Sequence, residues 1–162
     1  RIRIDDTEIS SLEDAARRAF RLQHIGMLFQ EFELLSHLDV LDTILLPFRL
    51  HPDLKLTPDT RDQAVQLAGK AGLGDKLKRR VTRLSQGERQ RVAVCRALVT
   101  EPGLLLCDEP TGNLDPATRD LIVEILFSYT GSREASLVTV THDHSLLDRF
   151  DRVIDFANIG SG

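Results

Sequence analysis

The sequence predicts an α/β fold: a parallel sheet with helices on its faces and a helical segment set into it. Three observations carry that expectation. Short β-like runs alternate with helical patterns along most of the chain, the order that produces parallel sheets. One run, "GLLLC" at 103–107, is continuously apolar and fits a strand buried on both faces. Residues 31–83 then break the alternation and read as helices separated by loops.

In chain order, "RIRI" (1–4) and "HIGMLF" (24–29) read as strands. Inside the insertion, "VLDTILLPF" (40–48) and "TPDTRDQAVQLAGKAGL" (57–73) have helical spacing, and Thr57 followed by Pro58 is a natural helix start. A helix over Gln86–Val99 carries Val92, Cys95 and Val99 along one apolar stripe. After "GLLLC" come a helix over Pro116–Tyr129, a strand at "SLVTVT" (136–141), a short helix over His144–Phe150 and a strand at "DRVIDF" (151–156). There is no internal repeat and no low-complexity segment.

At 162 residues the chain is of ordinary single-domain size, and 41% hydrophobic with 28% charged residues is a soluble globular balance. No apolar run is long enough to span a bilayer, and "RIRIDDTEIS" does not read as a signal peptide. The first residue is not Met, so the chain is expected to begin partway through a longer protein. A net charge of -4 argues against nucleic acid as a partner, and the basic run "KLKRRVTR" (76–83) reads as a solvated face. Cys95 and Cys107 are isolated in apolar contexts and read as buried thiols, which points to the cytosol.

The chemistry concentrates in two stretches. "LLLCDEPTGNLD" (104–115) sets Asp108 and Glu109 at the end of an apolar strand. In doubly wound sheets ligands bind at the carboxyl ends of strands, and a carboxylate there suits Mg²⁺. A second carboxylate beside it could polarise an attacking water, and the plain alternative is a turn with solvated acids. In "LSQGERQRVAVCRAL" (84–98), Ser85 and Glu88 form a capping-box pattern. The same helix start, with Gly87 allowing close approach, is also a phosphate site. Asp115 before Pro116 can start a helix without any catalytic role, and His142 can be a satisfied histidine at a strand end.

Taken together these stretches resemble the ATP-binding-cassette (ABC) ATPases. "LSQGE" is similar to the family signature, with Gln86 at a usual Gly and Glu88 at a usual Gln; "LLLCDEP" resembles the Walker B strand. "GMLFQ" (26–30), "GNLD" (112–115) and "VTHD" (140–143) resemble the Q-loop, D-loop and H-loop in family order. The resemblance implies a P-loop NTPase core with an inserted helical subdomain at 31–83. It implies that ATP and Mg²⁺ are bound: Asp108 as metal ligand, Glu109 as general base, His142 against the γ-phosphate, and Gln30 near Mg²⁺ or the attacking water. Ser85, Gln86 and Gly87 would meet the ATP of a second subunit, and Asp115 would communicate across that homodimer.

The family's first strands and Walker A loop, Gly-x-x-x-x-Gly-Lys-Ser/Thr, have no counterpart here. Gly69-Lys70 is the sole Gly-Lys pair, with Ala64 and Ala71 where the pattern needs Gly and Ser or Thr. The 162-residue chain alone is therefore expected neither to bind MgATP tightly nor to hydrolyse it. Loss of a strand beside "GLLLC" is expected to expose apolar sheet surface and an edge prone to pairing.

Within the family, "DEPTGNLD" with "LFQEFELLSHLDVLDTILLPF" (28–48) resembles the branch of lipoprotein release and macrolide export. That implies a peripheral position on the cytoplasmic face of the inner membrane, docked to an integral-membrane permease. The permease's coupling helix would enter a groove between Gln30 and the helix near Leu45–Phe48, with Phe48→Ala uncoupling while sparing the fold. The rival readings are a non-transport ABC ATPase, which would carry long heptads where this chain has none, and an inactive interaction domain.

Overall fold

The computed structural model describes residues 1–155. Its centre is a parallel sheet of β3 (Ile25–Leu28), β4 (Leu104–Asp108) and β5 (Ser136–Val140), in that order. Before it comes a small antiparallel hairpin, β1 (Arg3–Ile4) against β2 (Thr7–Glu8), turning at Asp5 with φ of 49°. "RIRI" is thus a hairpin arm outside the main sheet, and the helix α1 (Asp14–His24) fills the stretch that the sequence reading left unassigned. None of its residues is buried, yet its apolar residues gather along one helix face, so an amphipathic pattern is present in the sequence beside the helix-favouring Ala, Arg, Leu and Gln.

The crossover from β3 to β4 contains α2 (Val40–Ile44), α3 (Leu46–Leu50), α4 (Pro58–Lys70) and α5 (Gln86–Leu98). Local chemistry starts most of them. Asp39 caps α2 by accepting from Asp42 N–H at 2.8 Å. Thr57 and Thr60 cap each other's backbone at α4, with Pro58 in its first turn. Buried residues of α2, α4 and α5, with the C-caps Leu45 and Val99, share one core that includes Val40, Ile44, Ala64, Ala68, Val92 and Cys95.

A second core lies between α5, α6 (Pro116–Arg133) and one face of the sheet, and includes Leu28, Val94, Leu98, Leu105, Cys107, Ile122 and Leu126. Gly26 lets β3 sit against α5: a Cβ there would run into the carbonyl of Ala97 and stand 2.6 Å from Leu105 Cδ2. Cys95 and Cys107 are buried free thiols, both pushed up to about 12 by desolvation.

Three expectations need correction. β4 is paired on both sides, to β3 and to β5, so no neighbour of "GLLLC" is missing. The exposed apolar surface instead lies on β5, where Val138 and Val140 are 54% and 50% exposed. In-register residues of a parallel sheet share a face. Leu28, Leu105 and Cys107 are on the covered side, whereas Leu104 and Leu106 are only half-buried on the other. Continuous apolarity therefore did not mean burial on both faces. Finally, Asp151–Asp155 carries no strand, and Phe156 lies outside the described residues. No helix among the described residues is long and apolar enough to cross a membrane.

Candidate active site

The register of the sheet gathers one group of the expected residues. Leu28 pairs with Cys107, and Asp108 with Val140, so the loops after β3, β4 and β5 leave the sheet at the same, carboxyl end. Gln30 follows β3 and is exposed; Asp108 closes β4 with its side chain in solvent. Glu109 follows in a left-handed conformation, φ 47°, which few residues with a Cβ adopt. The turn holds through Glu109 N–H donating to Val140 O at 2.9 Å and Gly112 N–H donating to Glu109 O at 3.1 Å.

Glu109 and His142 come together: His142 Nε2 is 3.5 Å from Glu109 Oε1. The histidine side chain is 96% exposed and the glutamate 15%. Glu109 Oε1 is buried and accepts no hydrogen bond among the described residues, since 3.5 Å is beyond the usual range. The loop bearing His142 is anchored next door. Asp143 caps the following 3-10 turn (His144–Arg149) by accepting from Ser145 N–H at 3.0 Å, and its carboxylate lies 3.7 Å from Arg119 of α6. The Ser145 hydroxyl, ahead of that arginine, holds the Asp143 carboxyl below the usual range.

The second group forms at two helix starts. Ser85 and Glu88 make the expected capping box, Ser85 N–H donating at 2.8 Å and Glu88 N–H at 3.2 Å. Lys76 reaches the other oxygen of Glu88 at 2.9 Å. Gln86 and Gly87 are the first residues of α5, and their N–H groups are among those a helix leaves unbonded. Asp115 caps α6 by accepting from Thr118 N–H at 3.0 Å, and Thr118, side chain first and backbone second, lowers its pKa. Gly87 abuts that same Thr118: a Cβ on Gly87 would stand 3.0 Å from Thr118 Cγ2. Helix packing thus accounts for Gly87, which capping alone did not.

Sequence reading missed three residues here. Thr118 joins the two helix starts. Gln90, midway along α5, donates to Pro110 O at 2.6 Å and so touches the Glu109 turn. Arg96, also on α5, donates to Glu33 O at 2.6 Å and Phe32 O at 3.0 Å, bracing the segment after Gln30. The signal available was a polar residue on a helix face that is otherwise apolar. The groove beside Arg96, about 300 Å³, is lined by Leu22, Phe29, Leu46, Pro47 and Leu50. Phe48 is not among them; it is half-buried against the helical core.

Residues 1–112 match the ABC transporter family. The chain belongs to that family. It is 41% identical to the lipoprotein-releasing system ATP-binding protein LolD of Xanthomonas oryzae over 147 residues, 91% of this chain and 59% of that protein. It is also 41% identical, over 91% of its length, to the macrolide export ATP-binding/permease protein MacB of Rhodopirellula baltica, of which it covers 22%. A bacterial ABC transporter cassette, MJ0796, solved as a dimer, superposes with a TM-score of 0.79 at 31% identity over 88% of this chain and 62% of that one. The fold is accordingly that of the ABC ATPase cassettes, within the P-loop NTPases. The chain spans about 59% of the first LolD relatives' length.

Proposed function

We propose that the chain is the catalytic part of an ATP-hydrolysing subunit that drives an integral-membrane permease, in the lipoprotein-release or macrolide-export branch. The names of the LolD and MacB relatives support the branch, and the dimeric MJ0796 cassette supports a homodimer. Its place is then the cytoplasmic face of the inner membrane, with no nucleic-acid partner, and residues 31–83 act as an inserted helical subdomain. The chain by itself, having no Walker A loop among its residues, does not turn over ATP.

One observation carries the catalytic reading: Glu109 Oε1, buried at a strand end, accepts no hydrogen bond among the described residues and has His142 beside it. An acceptor with an unclaimed lone pair is what a general base needs to take a proton from water. Glu109 takes that proton on its carboxylate, while His142, with its ring in solvent, reaches a phosphate oxygen. No three-residue acidic or imidazole cluster that could cage a metal occurs among the described residues. Mg²⁺ takes one or two protein carboxylates together with nucleotide phosphates, and Asp108, exposed at the end of β4, would be that carboxylate. Bound Mg²⁺ supplies neutralisation of phosphate charge. Gln30 lies at the same sheet end, near the ion or the water. Ser85, Gln86 and Gly87 present the α5 N-terminus to the ATP of the second subunit, with Asp115 next to that interface.

The test is Glu109→Gln in the complete ATPase. Turnover should fall on the order of 10²–10⁴-fold while ATP remains bound. An unchanged hydrolysis rate removes Glu109 from the role of base.

A further inference from the structure

Gln90 is 1% exposed in the middle of α5, the helix that gives Ala93, Val94, Ala97 and Leu98 to the sheet core. Its Nε2 donates to Pro110 O at 2.6 Å, and its Oε1 is buried with no partner among the described residues. The amide orientation follows from the acceptor, because the reverse would set two oxygens against each other. Leu or Met would fill the space without leaving an unbonded oxygen in the core, so packing alone gives no reason for a glutamine. The reason lies in what it grips.

Pro110 follows Glu109, the residue in the left-handed conformation. Two of the bonds that hold this turn come from β5 and from the turn itself: Glu109 N–H to Val140 O and Gly112 N–H to Glu109 O. The Gln90 bond comes from α5, the helix whose first turn carries Ser85, Gln86 and Gly87. We propose that Gln90 is a positioning residue, a buried tie that sets the Glu109 turn from the helix that begins at Ser85. A shift at the start of α5 is then felt at the carboxylate of Glu109 in the same subunit. The kinetic half of this proposal rests on the ATPase reading; the structural half does not.

Gln90→Met keeps the volume and removes the donor. In the chain, amide hydrogen exchange at Glu109 and Gly112 should accelerate at least about tenfold while Leu105 and Val94 keep their rates. Gln90→Leu is the second variant should the first fold poorly, with the same selective pattern expected. Unchanged exchange at Glu109 and Gly112 overturns the proposal. An equal acceleration at all four amides also overturns it, because that marks a general core residue. In the ATP-hydrolysing protein, Gln90→Met should lower kcat about tenfold with KM for ATP unchanged; an unchanged kcat overturns the link to catalysis. Absence of turnover in the unsubstituted protein overturns the ATPase reading instead, and the exchange rates alone then decide the tie.

Discussion

Gly87 and Thr118 meet where α5 and α6 begin, so closely that a Cβ on the glycine would stand 3.0 Å from Cγ2 and 3.1 Å from Oγ1 of the threonine. The glycine therefore has two demands on it, one from helix packing and one from the nucleotide in the proposed function. Gly87→Ala should destabilise the fold by about 1 kcal/mol, since Thr118 must give by a few tenths of an ångström. Thr118→Ala in the same chain removes both close atoms and should restore most of that stability in urea unfolding. ATPase activity of the double variant in the complete protein should stay low if Gly87 also serves the phosphate. Full recovery of activity would leave packing as its whole role.

The groove beside Arg96 separates docking from folding. Leu50 is exposed and Phe29 partly so, both lining it, whereas Phe48 packs into the helical core. Leu50→Ser should leave the unfolding midpoint within the range of ordinary surface changes and reduce permease-stimulated ATPase activity. Phe48→Ala should instead cost roughly 2 kcal/mol of stability, because it removes a half-buried ring. Equal stimulation in Leu50→Ser and the unsubstituted protein would take the groove out of coupling.

Acid should loosen the start of α5. Ser85 N–H first, and Lys76 second, hold the Glu88 carboxyl below its ordinary 4.5. A depressed folded value means the stabilisation is fully present above 4.5 and is lost as the pH falls through the lower folded value. Glu88→Gln should flatten this part of the acid limb when urea midpoints are followed from about pH 6 to pH 2.5. An acid limb of the same slope in the variant would assign the loss to other carboxylates, Asp115 and Asp143 among them.

Glu134 ends α6 in the left-handed conformation, φ 53°, its N–H donating to Thr130 O. Glycine adopts that geometry without the Cβ penalty. Glu134→Gly should stabilise the chain by about 0.5–1 kcal/mol, read as a higher Tm. A lower Tm would mean that the glutamate side chain has a role at that corner.

Much of the candidate site was legible because its residues sit where local rules place them. Asp115 before Pro116 and Ser85 three before Glu88 are helix starts in any context, and both caps form as read. The β4 and β5 strands and α5 were readable from apolar periodicity, and the motif order carried the family. What escaped were the surface helix α1, whose amphipathic pattern is present in the sequence, and features without a local pattern: the hairpin of β1 and β2, and the long-range contacts of Gln90 and Arg96. A hydrogen bond from Gln90 to Pro110 spans α5 to the end of β4, and no short window of sequence contains both ends.

The sequence by itself determined the family, most of the strand–helix alternation and the candidates carried by the family motifs, because these depend on residue type and near-neighbour spacing. Tertiary structure alone decided that β4 lies between two partners, that one sheet face stays open at Val138 and Val140, and that Phe48 turns inward. It also decided that Glu109 Oε1 is buried beside His142 with no donor among the described residues, and that Gly87 is pressed against Thr118. The physical reason is the same in each case. Pairing, burial and close packing depend on which distant segments meet, and that is settled only when the whole chain has folded.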